Sequence, residues 1–508
     1  MINYLRLFKW TITFLFISVW VLACNRPMMQ PPAPDQDNKA SAISTQTLAP
    51  VVPSSTNELS LLSTSNLSST QPVSPENPTK IKIPSEATST PSNLNPVPYT
   101  YSTPAWCPFK PTTLPEVGKL RIVYASRGNL WVKDEGRPGI QLSHNNDIRQ
   151  VSISDDGQTI VYTRQLDEYH AEIWAINADG NHERRLVSVD QFKKLDGSQD
   201  ALGVLPSLLR WEPGSHHVIF YTYPVYHAIW VFEPSTIWLV DADSGVISQA
   251  QYHGGYVSFA PDGKQVAIYN ASGINLVNLD GSQLRENILP GYHGIAEGES
   301  YYDPKPFWSS DSSSLLIAIP DQNDMYTKDA SITAWRIPIK GTSVKIGQWK
   351  AFAPSVSVSP DQSYVTYWPS PQGAVNQREL HLLRIGSQEN TTLYDIVYLR
   401  GELIDVLSWS PDSQHFIFQM RDPGSQGMSF YLGGVCQQPQ KIGGYIAGGM
   451  LPWDIGSNIA YWVDSNRYLL VSGLPDINDQ WELYSGRRDQ DHAEKVGVIT
   501  AYDWTVIP

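Results

Sequence analysis

Leu407-Ser408-Trp409-Ser410-Pro411-Asp412-Ser413, followed by Phe416-Ile417-Phe418, decides the fold. A short apolar stretch ends in a Pro-Asp turn, and a second apolar stretch begins at once. That is the pattern of two antiparallel strands joined by a tight connection. The unit recurs. With Trp409 as the anchor, the same slot holds Ile153, Trp211, Phe259, Trp308, Val358 and Trp462, at successive spacings of 58, 48, 49, 50, 51 and 53 residues. A period near 50 with four strand signals per repeat predicts an all-β fold, a β-propeller of four-stranded blades.

Each repeat reads as four strands. Val266-Ala267-Ile268-Tyr269 follows a Pro-Asp-Gly turn, and Ile173-Trp174-Ala175-Ile176 runs into the hairpin signal Asn177-Ala178-Asp179-Gly180. The termini complement each other. Residues 120–125 and 129–132 look like second and third strands of a blade that lacks its first, whereas residues 501–505 look like a first strand with nothing after it. Joining them closes the ring and removes two open sheet edges. Seven internal anchors plus this composite blade give eight, with seven as the alternative if the degenerate copy at Trp462 merges with a neighbour.

Ahead of the repeats lie two other regions. Arg6 and Lys9 precede an apolar run over residues 10–22, too short to span a bilayer as a helix. It ends in Val21-Leu22-Ala23-Cys24, which resembles the bacterial lipobox. The resemblance implies removal of residues 1–23, a lipid on the Cys24 thiol, and a cell-membrane-anchored, extracytoplasmic location. Residues 24–105 form a tether. The stretch 25–104 holds 14 of the 38 prolines, no glycine, and only Tyr99 and Tyr101 as aromatics, a composition that cannot bury a core. The propeller domain is expected over residues 106–508.

The formal net charge is −14, which argues against nucleic acid or an anionic lipid surface as a partner. The tether carries little of it, with four Lys/Arg against five Asp/Glu over residues 25–104, so the acidity sits in the body.

The Ser-Pro-Asp-Gly signature between strands, with an Asp-Gly hairpin some 20 residues on, resembles the TolB-like propeller repeat. The same repeat occurs in prolyl-oligopeptidase propellers and bacterial surface lipoproteins. The resemblance covers residues 119–508 and implies a fold, not an activity. Glu212-Pro213-Gly214 and Val463-Asp464-Ser465 depart from it.

Candidate chemistry is sparse. Asp156, Asp262, Asp311, Asp361 and Asp412 recur like a ring of carboxylates, but their place in turns predicts that they cap backbone N–H groups. No G-x-S-x-G elbow and no phosphate loop is present. His216 and His217 should point to opposite faces if they lie on a strand. His227, His253 and His293 fall in connections and could converge on one face. Glu297-Gly298-Glu299 and Asp321-Gln322-Asn323-Asp324 lack the spacing of a Ca²⁺ loop. With Cys24 lipidated, Cys107 and Cys436 remain, either as a disulfide or as two thiols.

These observations favour a lipid-anchored scaffold that binds a protein or cell-envelope partner, with no catalytic residue, cofactor or metal. Two other classes stay open: a carbohydrate-active or other enzyme on the loop face, and a small-ligand or peptide sensor. Whatever differs between blades should carry function, chiefly the long connections expected over residues 190–207, 221–236, 290–306 and 320–332.

Overall fold

The computed structural model describes residues 100–102, 118–196, 201–226, 237–250, 255–270, 273–292, 295–297, 300–302, 304–321, 331–352, 355–369, 377–385, 394–421, 427–447, 459–473, 481–490 and 492–508. The segment expected to be a signal peptide, Cys24, most of the stretch expected to be a tether, and Cys107 lie outside them.

The described residues form a β-propeller of eight blades, all four-stranded except blade IV. Blade I joins the two ends of the chain in the order Ala501–Ile507, Lys119–Ser126, Asn129–Asp134, Ile140–Gln141. Seven register pairs, from Lys119↔Ile507 to Ala125↔Ala501, hold the C-terminal strand in place. Blade II runs Ile148–Ile153, Thr159–Gln165, Ala171–Asn177, Arg184–Val187, and blade III runs Gly203–Trp211, His217–Val225, Ile237–Asp241, Ile247–Gln249. Blade IV has three strands, Tyr256–Phe259, Gln265–Asn270 and Gly273–Asn278, its fourth reduced to the bridge Leu276↔Arg285. Blade V begins at Phe307–Trp308, blade VI at Ser357–Val358 and blade VIII at Ala460–Trp462.

Every anchor residue ends the inner strand of its blade, from Ile153 and Trp211 through to Trp462. The second strands are the most buried. All seven residues of Ser314–Pro320 and all six of Arg467–Ser472 are buried. Neighbouring blades cover both faces there, so the sequence reads as an unbroken apolar run rather than an alternation. The core accordingly sits between blades: Val123, Leu130 and Val132 of blade I pack with Ile148, Ile153 and Ile160 of blade II.

Three features depart from the expected pattern. The last strand of blade VI and the first of blade VII are one strand of 16 residues, Tyr394–Trp409. Bulges between Glu402 and Asp405 and between Val406 and Ser408 bend it from one sheet into the next. Thr100–Tyr101, within the stretch assigned to the tether, pairs with that strand, and the Tyr101 ring meets Tyr398 edge-on at 5.1 Å.

The third departure is a correction to the long connections. Residues 190–207 are not a plain loop: they hold most of the helix Val189–Asp196 and the start of Gly203–Trp211. The helix is capped by Ser188, whose hydroxyl and N–H both bond Gln191 at 2.9 Å. Its Phe192 is buried edge-on against Phe220 of blade III. The connection over 221–236 begins as strand through Val225, and within 290–306 Ile295–Glu297 pairs with Ser300–Tyr302.

Candidate functional site

The ring of aspartates is structural. Asp311 Oδ1 accepts the Ser309 hydroxyl at 2.6 Å and Ser313 N–H at 3.0 Å, while Ser309 Oγ accepts Ser314 N–H at 3.0 Å. Asp361 repeats this with Ser359 and Ser363, Asp412 with Ser410 and Gln414, and Asp156 with Ser154 and Gln158. Asp262 accepts Lys264 N–H. In each aspartate Oδ1 is spent on the turn, whereas Oδ2 of Asp156, Asp262 and Asp412 faces His216, Lys264 and Arg488.

The residue after each Asp explains why some copies lack glycine. That position takes a left-handed backbone in Gly157, Gly263, Ser312, Gln362 and Ser413. Each side chain in the last three reaches the preceding blade. Ser312 Oγ accepts Asp262 N–H at 3.0 Å and Ser413 Oγ accepts Asp361 N–H at 2.9 Å. Gln362 donates to Phe307 and Ser314 carbonyls. A bond between blades offsets the strain of a side chain at positive φ.

Asp311 makes a prediction. The bonds from Ser309 and Ser313 hold its carboxyl down at about 2. Its folded pKa lies below the unfolded value near 3.9, so its stabilisation is present above about pH 4 and lost as pH falls through about 2. Asp311→Asn should therefore melt below wild type at pH 7 and level with it at pH 2. An equal gap at both pH values would refute the assignment.

Among the described residues, the polar cavity of interest lies on the channel, where the inner strands of blades VIII, I, II and III converge. Its volume is about 350 Å³, and Arg210, Trp211, Tyr461, Tyr502 and Asp503 line it. They come from three inner strands: Tyr461 precedes the anchor Trp462, Arg210 stands beside the anchor Trp211, and Tyr502 and Asp503 are consecutive in the closing C-terminal strand. The Tyr461 and Tyr502 rings meet edge-to-face at 6.0 Å. Asp503 Oδ2 accepts the Ser152 hydroxyl at 2.8 Å and Ile153 N–H at 2.9 Å, fastening blade I to blade II. Burial raises its pKa, against the lowering by those bonds. The Arg210 guanidinium lies over the Phe259 ring at 5.0 Å, on the side of blade IV. Tyr502 Oη and Trp211 Nε1 are enclosed and have no hydrogen-bond partner among the described residues. Trp308 and Trp462, the equivalent anchors of blades V and VIII, donate to Ser258 and Ser408 carbonyls of the preceding blade. Trp211 and the blade VII anchor Trp409 both lack this bond. Because the Tyr502 hydroxyl is unpartnered, Tyr502→Phe is expected to leave the melting temperature level or raise it; a drop of several degrees would mean that the hydroxyl is bonded.

The two histidines at the blade III turn serve separate carboxylates. His216 Nδ1 lies 2.8 Å from Asp243 and its Nε2 3.6 Å from Asp156. His217 Nδ1 lies 2.6 Å from Glu212 and its Nε2 3.4 Å from Asp241. Among the described residues no group of three or more His, Cys, Asp or Glu side chains could hold a metal ion. His227, His253, His293, Glu299 and Asp324 lie outside them, and Asp321 accepts the Thr333 hydroxyl at 2.5 Å. Cys436 is disulfide-bonded and, like Tyr101 and Tyr364, packs against the core cluster that includes Tyr398; its partner is not among the described residues.

Two signals in the sequence point to this cavity: Tyr461 and Arg210, each one residue before an anchor, are large side chains where Ser152, Ser258, Ser357 and Ser408 stand in other repeats. Asp503 and Tyr502 gain their place only through ring closure.

No protein family and no curated protein matches the chain in sequence. Its solved structural neighbours include TolB from Acinetobacter baumannii, 13% identical over 56% of this chain and 63% of that one, with a TM-score of 0.28. A eukaryotic initiation factor is 9% identical over 77% of this chain and 98% of that one, with a TM-score of 0.42. An oligogalacturonate lyase in complex with manganese is 14% identical over 68% of this chain and 86% of that one, with a TM-score of 0.41. The chain thus spans less than two thirds of the Acinetobacter TolB chain. TolB proteins stand among these neighbours, as the repeat suggested, beside enzymes of other activities; the likeness concerns the propeller fold alone.

Proposed function

We propose that the chain is a lipid-anchored, extracytoplasmic β-propeller scaffold that binds a protein or cell-envelope partner at the channel cavity bounded by blades VIII, I, II and III. The observation that carries this is the break in the repeat. Residues shared by the blades are consumed in turns and in packing between blades, whereas Arg210, Tyr461, Tyr502 and Asp503 differ from their counterparts and meet around one cavity of about 350 Å³. Cavities of a few hundred Å³ lined by aromatic and a few polar groups suit specific recognition. A lipid on Cys24 and a tether of about 80 residues, roughly 50 Å in root-mean-square span, would hold that face clear of the membrane. A Cys107–Cys436 disulfide would fasten the chain beside Thr100–Tyr101, where it first joins the sheet.

The test places a photocrosslinking residue at Asp155, on the cavity wall, or at Leu284, exposed on the rim of blade IV, in intact cells. The expected result is one product from position 155, absent from position 284 and reduced at least fivefold by Tyr461→Ala. Equal capture from both positions would refute the assignment. Because aromatic faces also stack on sugar rings, the enzyme alternative is read in parallel: new reducing ends released from added glycans would replace the scaffold with an enzyme. Cys24→Ser should shift the protein from the membrane to the soluble fraction; retention would refute the lipid anchor.

A further inference from the structure

The seam between blades II and III forms one side of that cavity, and it is joined by an unusual charge arrangement. The turn after Ile148–Ile153 carries Asp155 and Asp156, and the turn after Gly203–Trp211 leads directly to His216. His216 lies between carboxylates of both blades, 2.8 Å from Asp243 of blade III and 3.6 Å from Asp156 of blade II. Its ring also meets the edge of Trp211, a cavity-lining residue, at 6.4 Å. We infer that His216 is a proton-dependent latch across this seam, which holds the cavity's wall closed when the imidazole is charged and loosens it when the imidazole is neutral. Its role as a regulator of binding rests on the reading of the cavity as the recognition site.

The charges facing His216 decide the direction. From blade II come Asp156, its exposed neighbour Asp155, and Arg184, whose Nη2 lies 3.4 Å from Asp243 Oδ1 and whose Nε donates to the Ala242 carbonyl at 2.8 Å. From blade III comes Asp243. With His216 charged, Asp156 and Asp243 are matched by Arg184 and the imidazolium. With His216 neutral, Arg184 stays on Asp243, and Asp156 faces blade III with no cation of its own. The nearby set Glu212, His217 and Asp241 belongs wholly to blade III, so its titration does not bridge the seam. Gln150 ties the same two strands through a charge-independent bond from Leu208 N–H at 2.9 Å, so the seam relaxes without parting.

The hydrogen bond to Asp243, aided by the charges of Asp243 and Asp156 and opposed by burial, raises the imidazole pKa above its ordinary value near 6.5. A raised folded pKa means that the latch acts in full below about pH 6.5 and fades as pH rises through the folded value. The pair is partly exposed, which limits the effect to about two- to fivefold.

Hydrogen exchange of the full-length chain at pH 6 and pH 8.5, corrected for intrinsic exchange, tests this without any ligand. Protection of amides in Ile148–Ile153 and Gly203–Trp211 should fall about two- to fivefold at pH 8.5 in wild type. His216→Asn and Asp156→Asn should each abolish that pH response, and His217→Asn should retain it. A wild-type seam that does not respond to pH, or a response that survives in both His216→Asn and Asp156→Asn, overturns the latch. Crosslinking from position 155 at the two pH values reads the cavity separately, so either idea can fail while the other stands.

Discussion

Deleting residues 500–508 is expected to unfold the propeller or leave it an open, aggregation-prone sheet. The deletion removes all seven register pairs between the C-terminal strand and Lys119–Ser126. It bares a buried strand edge in which Leu120, Ile122, Val123, Tyr124 and Ala125 are all at least 94% covered in the intact ring. It also removes the Asp503 bonds to Ser152 and Ile153 and the bond from the Thr505 hydroxyl to the Asp155 carbonyl, which join blade I to blade II. A domain's whole margin of stability is about 5–15 kcal/mol, and losing the inner strand of a blade should consume about 5 kcal/mol or more of it. Calorimetry should record a melting transition lowered by about 10 °C or its disappearance. A melting curve unchanged by the deletion would be incompatible with closure through this strand.

Arg467→Met should cost about 3 kcal/mol. Arg467 is only 2% exposed, yet its guanidinium is charged and holds the other side of the closure. Its Nε meets Asp464 of blade VIII at 2.8 Å, and its Nη1 meets Glu135 of blade I at 2.8 Å and the Gly118 carbonyl at 3.2 Å. The pairing with Asp464 and Glu135 outweighs burial and keeps the guanidinium more basic than usual. Removing one partner of a buried pair leaves the others desolvated without compensation, at about 3–5 kcal/mol. Asp464 and Glu135 retain some contact with water, which places the expectation at the lower end. Arg487, which also reaches Glu135 but at 3.4 Å and from a more exposed position, should cost under about 1 kcal/mol when replaced by Met. Urea unfolding of the two variants separates the cases. Equal losses, or a loss under 1 kcal/mol for Arg467→Met, would mean that the pair does not close the ring.

The repeat made most of the fold legible because its signals are local. The period near 50, the anchor at the end of each inner strand, the Ser-x-Asp turn and the two incomplete termini each need only a few adjacent residues, and each corresponds to an observed element. The continuous strand Tyr394–Trp409 was not legible, since its middle carries no turn signal and only the bulges tell where one blade ends. The helix Val189–Asp196 had a sequence signal, Ser188 three residues before Gln191, but lay in a stretch expected to be loop. Ser312, Gln362 and Ser413 looked like weak copies of a glycine position; their hydrogen bonds to the preceding blade give them a reason that lies about 50 residues away.

The candidate site divides in the same manner. From the sequence alone, the aspartates of the turns could be set aside, because turn chemistry is local; the expectation that His216 and His217 point to opposite faces assumed a strand, and the strand begins only at His217. Which carboxylates those histidines meet could not be read: Asp156 lies 60 residues from His216, and the two are brought together only when blades II and III pack. Likewise Asp503 is an unremarkable residue near the C-terminus until ring closure carries it against Ser152. The sequence determined the strand-turn anatomy of the blades and bounded their number at eight or seven, because strand and turn preferences are local and repeated. Tertiary structure alone decided the cavity and the latch, because both are built at seams between blades, where the contacting residues are distant in the chain.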